Sequence, residues 1–267
     1  MRNRIILGDC LEALPGLRDK SVDLILTDPP YNTGMKARRS GQLRNFFDDD
    51  YSAEEYRDLA STTARECFRI LKDDRACYVF INWRSLGVWL DALSGAGFRL
   101  KNVIVWDKIA PGLNYQNYQH AHEFLIFAVK GRFFPRNKHT GDDQGRDVWR
   151  IHRETRHVRA EEFHHETVKP EAVVRRPIEH ASLPGQVVCD PFMGTGTTCV
   201  VAKMLGRGYV GIEVDPRYYS LAVKRIAGVG RTGIVVASRD GCRASRRSRP
   251  ATRVGTRWSS SKWPQTE

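Results

Sequence analysis

Short apolar runs in this chain repeatedly break off at a carboxylate: RIILGD at Asp9, VDLILTD at Asp28, QVVCD at Asp190 and YVGIE at Glu213. Apolar runs of this kind, bounded by turn residues, read as strands buried on both faces, as in parallel sheets. Open α/β sheets bind ligands at the carboxyl ends of their strands, so each acid stands where a ligand would be met. Between the runs lie helical patterns. Ser52-Ala53-Glu54-Glu55 is a capping box opening a helix to about Leu71, with Tyr56, Leu59, Thr63, Cys67 and Ile70 at helical spacing. Strands are expected at Cys77–Ile81, Arg99–Trp106 and Glu123–Val129, and helices at Trp83–Leu93, Thr198–Leu205 and Pro216–Ile226. A further helix has Pro170 in its first turn, and Pro177 makes it short or kinked. Strands alternating with helices make the expected fold class α/β, a doubly wound, mainly parallel sheet.

With 267 residues the chain can bury one sizeable core, and a single catalytic domain over 1–227 is expected. The formal net charge of +12 is uneven: residues 228–267 hold nine Lys or Arg against two acids, hence +7, leaving +5 for the rest. That segment is rich in Arg and Ser with little apolar periodicity and reads as a basic, disordered tail suited to a polyanion. The six cysteines show no CxxC spacing, and no apolar run is long enough to span a bilayer. A cytoplasmic protein with reduced thiols and no membrane partner is expected. Residues 131–164 have mixed charge, scattered aromatics and no sustained period, like a small module inserted at the sheet's edge. The histidines 139, 152, 157, 164 and 165 crowd here without metal-ligand spacing, so no metal is expected.

VDLILTDPPYNT carries the first chemical signal. Pro29 and Pro30 fix φ and donate no N–H, so the chain leaves the sheet stiffly with carbonyls free to accept. Asp28, the Pro29 carbonyl and the face of Tyr31 together suit a flat ring with an amino group, stacked on the aromatic and donating to the two oxygens. The following polar stretch, 34–50, has Lys36, Arg38, Arg39 and Arg44 beside Phe46 and Phe47 and reads as a substrate-contacting loop.

CDPFMGTGTT carries the second signal. Asp190 ends a strand, Phe192 to Thr198 is a glycine turn around Gly194, Thr195 and Gly196, and Thr197 and Thr198 begin a helix whose N–H groups favour an anion. Glu213 ends the next strand 23 positions after Asp190, near the spacing at which an acid meets ribose hydroxyls. Cys199 stands where the dinucleotide fingerprint has its third glycine, which counts against a pyrophosphate. S-adenosylmethionine, with an amino-acid tail beside a sulfonium, suits the acids better.

LTDPPYNTG, HETVKP, DPFMGTGTT and GRGYVGIEVDPRYYSLAVKRI, in this order, closely resemble the DNA amino-methyltransferases, in the subgroup whose DPPY motif precedes its cofactor motif. The resemblance runs from about Arg4 to Ile226, interrupted by the insertion. It implies a Rossmann-like methyltransferase fold with S-adenosylmethionine as cofactor and double-stranded DNA as substrate. It implies that Asp28, Pro29, Pro30 and Tyr31 hold a flipped base, with Asp28 also beside the cofactor. The turn residues bind the methionine part, Glu213 the ribose, and Asp9 approaches the adenine. Thr167 and Lys169 of HETVKP join the cofactor set, although the family more often has proline after the histidine. The insertion corresponds to the target-recognition region, and relatives are often dimers and often paired with a restriction endonuclease. The DPPY spelling implies adenine N6 as the target. The alternatives are the cytosine N4 amine and a cofactor-binding regulator without transfer activity, against which the intact Asp28, Tyr31 and Glu213 argue.

Overall fold

The computed structural model describes residues 2–33, 49–109, 118–136, 145–153 and 168–230. Its elements in chain order are β1 (Arg4–Leu7), α1 (Cys10–Ala13), a 3-10 turn (Leu14–Gly16), β2 (Val22–Thr27), α2 (Ala53–Ile70), β3 (Leu71–Ile81) and α3 (Leu86–Gly95). There follow β4 (Arg99–Asp107), β5 (His122–Lys130), β6 (Val148–Arg150), α4 (Glu171–Ala181), β7 (Val187–Asp190), α5 (Thr197–Met204), β8 (Gly208–Glu213) and α6 (Pro216–Gly228).

The strands form one eight-stranded sheet in the order β1-β8-β7-β2-β3-β5-β4-β6. It is parallel except for β5, which runs antiparallel to both β3 and β4. Each central strand buries both faces. In β2, Val22 and Ile25 join one core cluster and Leu24 and Leu26 the other; in β3, Cys77, Val79 and Ile81 oppose Ala76, Tyr78 and Phe80. The first cluster is closed by α1, α2 and α3 through Cys10, Tyr56, Ile70 and Trp89, the second by α4, α5 and α6 through Val173, Ile178, Val200 and Ile226. This two-sided cover explains why the sequence shows continuous apolar runs.

The order of strand addition reverses at β2: β3 lies on one side and β7 on the other, all three parallel. A doubly wound sheet opens its ligand crevice where the order reverses. Asp28 and Asp190 stand on the two sides of that crevice, because Ile25 pairs with Cys189 and each acid follows within a few residues.

Several boundaries differ from the sequence reading. The strand expected at Cys77 begins at Leu71 directly after α2, because Lys72, Asp73, Asp74 and Arg75 continue β3 in polar form beyond the core. The helix expected from Trp83 starts at Leu86, since Asn82 to Ser85 make a turn in which Asn82 Oδ1 accepts from the Ser85 N–H. Pro170 is the cap of α4 and lies before its first turn, and Pro177 sits buried within the helix. The insertion contributes β6 to the sheet edge, paired parallel with β4 from Val105↔Val148 to Asp107↔Arg150. The segments 34–48, 137–144, 154–167 and 231–267, which hold the basic loop, most of the insertion and the tail, lie outside the described residues.

Among the described residues, no helix is long and apolar enough to cross a membrane, and no group of three or more His, Cys, Asp or Glu is placed to hold a metal ion.

Candidate active site

Three side chains converge on the arm after β2. Tyr31 turns back so that its hydroxyl donates to Asp28 Oδ1 at 2.7 Å, with Glu123 Oε2 at 3.1 Å as its other acceptor. The Lys169 ammonium lies 2.6 Å from Asp28 Oδ2, 3.0 Å from the Tyr31 hydroxyl and 3.2 Å from Glu123 Oε2. Its three N–H groups thus have three acceptors. The same ammonium faces the rings of Tyr31 and Phe80 at 5.2 and 5.3 Å from their centroids. Lys108 closes the set, 2.7 Å from Glu123 Oε1.

The backbone of the arm is fixed from below. The Tyr56 hydroxyl donates to the Pro30 carbonyl at 2.6 Å and itself accepts from Trp89 Nε1 at 3.1 Å. The Ser85 hydroxyl donates to the Tyr31 carbonyl at 2.5 Å. Asn32, at φ +50°, pairs with Tyr51 in both directions, and Asp49 accepts from the N–H groups of Asn32 and Thr33. The two ends of the 34–48 segment are therefore tied together at Asp49. The Pro29 carbonyl has no donor among the described residues.

Electrostatics follow from burial and partners. Burial pushes the Asp28 carboxyl above its usual range, opposed by Lys169, while the Glu123 charge adds to the rise. Burial would raise Glu123 too, but Lys169 and Lys108 together outweigh it and hold it down at about 2. Burial disfavours the Lys169 charge, yet Asp28 and Glu123 hold its pKa above the ordinary lysine value. The site thus holds two carboxylates and two ammoniums in alternation.

The second half of the site is the turn between β7 and α5. Asp190 Oδ1 accepts from Thr27 Oγ1 at 2.8 Å and from the Phe192 N–H at 3.1 Å, which ties the turn to the residue before Asp28. Burial pushes this carboxyl up to about 7. Glu213 accepts the Gly194 N–H on Oε2 and the Asp215 N–H on Oε1, both at 2.8 Å. From α6, Arg225 donates to the Thr195 carbonyl, Thr195 Oγ1 and Thr197 Oγ1 at 2.6–3.1 Å. Two glycines are dictated by packing. Gly196 has φ +82° and an added Cβ would lie 2.9 Å from Ala222 Cβ; at Gly211 it would lie 2.3 Å from Met193 Sδ, so a larger residue would push the turn off the sheet. In front of Gly194 an added Cβ meets nothing within 4 Å.

Comparison with known proteins gives the family and the fold. Residues 22–224 match the DNA methylase family N6_N4_Mtase. The chain is 33% identical over 244 residues to the "Type II methyltransferase M.HinfI" of Haemophilus influenzae, covering 84% of this chain and 68% of that one. Among solved structures, the M1.HpyAVI–SAM complex superposes with a TM-score of 0.64 at 25% identity, over 84% of this chain and 98% of that one. PvuII DNA methyltransferase (cytosine-N4-specific) gives a TM-score of 0.70 at 18% identity, over 84% and 86%, which concerns the fold alone. The chain belongs to the N6/N4 DNA methylase family.

Within this methylase, the sequence-expected residues fall into groups. Asp28, Pro29, Pro30 and Tyr31 form the arm. Asp190, Phe192, Gly194, Thr195, Gly196, Thr197, Thr198 and Glu213 form the turn and the neighbouring strand end. Asp9 is exposed, caps α1 through the Leu11 N–H, and follows Gly8, whose N–H donates to the Glu213 carbonyl. Lys169, grouped by the resemblance with the cofactor, has its ammonium on the arm after β2. Thr167, Lys36, Arg38, Arg39 and Arg44 lie outside the described residues. Sequence reasoning missed Glu123, Lys108, Ser85 and Tyr56. Glu123 stands at the start of the EFLIFAV run and reads as an ordinary strand entry. Only the antiparallel direction of β5, with Ile81 opposite Phe124, brings it to the carboxyl end of β3 and hence to Asp28.

Proposed function

We propose that this methylase transfers a methyl group from S-adenosylmethionine to the exocyclic N6 amino group of adenine, in a base flipped out of double-stranded DNA. The observation that carries the reading is the Thr27–Asp190 hydrogen bond, which sets the strand end leading into Asp28 and Pro29 beside the strand end leading into the Gly194–Gly196 turn. The residues present fit the cofactor. Space is open before Gly194, and the Glu213 oxygens keep lone pairs beyond their backbone N–H partners for ribose hydroxyls. Asp190, Phe192, Thr195, Thr197 and Thr198 would flank the methionine part, with Asp9 toward the adenine. When bound, S-adenosylmethionine supplies an electrophilic methyl group on a sulfonium.

An exocyclic amine is a poor nucleophile because its lone pair is conjugated with the ring. Accepting both of its hydrogens, Asp28 and the Pro29 carbonyl pull the nitrogen toward tetrahedral geometry and stabilise the positive charge that develops there. Asp28 receives the proton that becomes acidic once the nitrogen is methylated. Within a duplex the amine is out of reach, so the base leaves the stack at a cost of a few kcal/mol. Stacking on Tyr31, about 1–3 kcal/mol, offsets much of this. Lys36, Arg38, Arg39 and Arg44 are proposed as DNA contacts, in a cytoplasmic enzyme that works as a homodimer beside a cognate restriction endonuclease.

The cytosine N4 amine is the second reading, because the fold is shared with an enzyme named for that specificity. The DPPY spelling favours adenine. Treatment of unmodified plasmid DNA with enzyme and cofactor, followed by nucleoside digestion and mass spectrometry, separates the two: N6-methyladenine is expected, and N4-methylcytosine would replace the reading.

A further inference from the structure

Glu123 is a partly buried carboxylate that the transfer chemistry above does not use. One of its oxygens takes the Lys108 ammonium at 2.7 Å; the other takes Lys169 at 3.2 Å and lies 3.1 Å from the Tyr31 hydroxyl. Its side chain is 16% exposed, with Lys108 at 12% and Lys169 at 11%. Isolated charges at such depth are costly, and breaking one partner out of a buried set strands the others. A single Asp28–Lys169 pair would need only two of these four side chains, so the second acid and second base call for a reason.

Methyl transfer moves one positive charge from the sulfonium to the target nitrogen, toward Asp28. Lys169 alone would oppose that movement, because its ammonium already neutralises the acid that should welcome the charge. Glu123 shares the ammonium with Asp28 and restores negative field on the amine's side. Lys108 in turn balances Glu123, so the set is neutral when no substrate is present. We infer that Glu123 is a positioning residue for methyl transfer: held by Lys108, it draws the Lys169 ammonium partly off Asp28 and so keeps Asp28 available to the target amine. This inference rests on the proposed methyl-transfer function and assigns to that site two residues, Glu123 and Lys108, that the DPPY and glycine-turn motifs do not contain.

Lys108 also links the set to the insertion. Its carbonyl accepts from the Arg153 N–H at 3.3 Å, and the preceding Asp107 carbonyl accepts from Ile151 at 3.1 Å. Trp106 Nε1 donates to the Ile151 carbonyl at 2.8 Å. The chain following β6 is therefore pinned to the residue that anchors Glu123.

The test compares wild type, Glu123→Gln, Lys108→Met and the double variant, with Asp28→Asn as a control, all as full-length protein. Methyl incorporation from labelled S-adenosylmethionine into unmodified plasmid DNA is followed in a single turnover with enzyme in excess, across pH, and cofactor affinity is measured in parallel. Glu123→Gln should slow transfer by roughly ten- to a hundred-fold, the scale of losing preorganised electrostatic stabilisation, with cofactor affinity within about two-fold. The acid limb of its rate profile should move to lower pH, because the Glu123 charge no longer raises Asp28. Removing Lys108 as well returns the site to neutrality, so the double variant should transfer faster than Glu123→Gln alone. A merely structural Glu123 predicts the reverse, a double variant as slow as or slower than the single. That result, or a Glu123→Gln rate within two-fold of wild type, overturns the inference. An active wild type beside an inactive Asp28→Asn keeps the methyltransferase reading intact in either case, whereas a wild type that labels no DNA removes that reading itself.

Discussion

The Lys169 ammonium lies 2.6 Å from Asp28 Oδ2, although 141 residues separate the two in sequence. Burial raises the Asp28 carboxyl, and Lys169 is the largest influence opposing the rise. In Lys169→Met that opposition is gone, so Asp28 titrates at higher pH than in wild type. Transfer requires the ionised acid, and activity is lost as pH falls through its pKa. The acid limb of the rate profile should therefore shift upward, opposite in sign to the shift expected for Glu123→Gln. Rates measured between about pH 5 and 8 check this, and an unmoved limb would mean that Lys169 does not control the acid.

Tyr31 contributes a ring and a hydroxyl, and the two separate by substitution. Tyr31→Phe keeps the ring and removes the donor to Asp28, so transfer should fall by about ten- to a hundred-fold, the scale of one hydrogen bond to a charged group. Tyr31→Ala also loses about 1–3 kcal/mol of base stacking and should fall much further. Both variants, like Asp28→Ala, should bind cofactor within a few-fold of wild type. Equal damage in the Phe and Ala variants would place the work in the hydroxyl.

The sequence exposed this site unevenly, and the reasons are physical. Asp28 follows, and Asp190 and Glu213 end, strands buried on both faces, where apolar runs mark the strand end. Gly196, at φ +82° against Ala222, belongs to the glycine turn that the sequence shows, whereas the crowding of Gly211 by the Met193 and Cys199 side chains has no local signal. Glu123 was hidden because strand direction is not written in a strand's own composition. β6 was hidden because VWR is too short to show an alternation. The polar start of β3 was hidden because Asp73 and Asp74 project past the core and read as a loop. What pattern could not supply in each case was a pairing partner distant in sequence.

Glu213 is buried and holds the turn through the Gly194 N–H, so it serves the fold in addition to the proposed ribose contact. Glu213→Gln, which keeps an acceptor for one N–H, should weaken S-adenosylmethionine binding by about 1.5–3 kcal/mol, the scale of a lost charge-assisted hydrogen bond. Calorimetry with an unchanged dissociation constant would move the ribose contact to another group, with Asp215 the next candidate.

The stretch beyond Gly230 holds nine Lys or Arg against two acids. Phosphate contacts by a tail carry no sequence information. Truncation there should preserve recognition sequence and cofactor affinity while weakening DNA binding. If about four of its cations meet phosphates, the slope of log K against log salt should shrink by about 3–4. Parallel lines for full-length and truncated protein across a salt series would show that the tail makes no such contacts.

Asp190 couples the turn to stability. Its carboxyl is pushed up to about 7, with burial the main cause and the hydrogen bonds from Thr198, Thr27 and Phe192 only partly offsetting it. An acid whose folded-state pKa is raised binds its proton more tightly in the native protein. Stability from this group is therefore full below the unfolded pKa near 3.8 and is lost as pH rises toward 7, by an amount on the order of 2–4 kcal/mol. Asp190→Asn keeps the oxygen that accepts from Thr27 and Phe192 and never ionises. The cofactor-free variant should match wild type near pH 4 and exceed it at pH 8. Thermal unfolding of both proteins at several pH values checks this, and curves that fall in parallel from pH 5 to 8 would assign the titration to a different group.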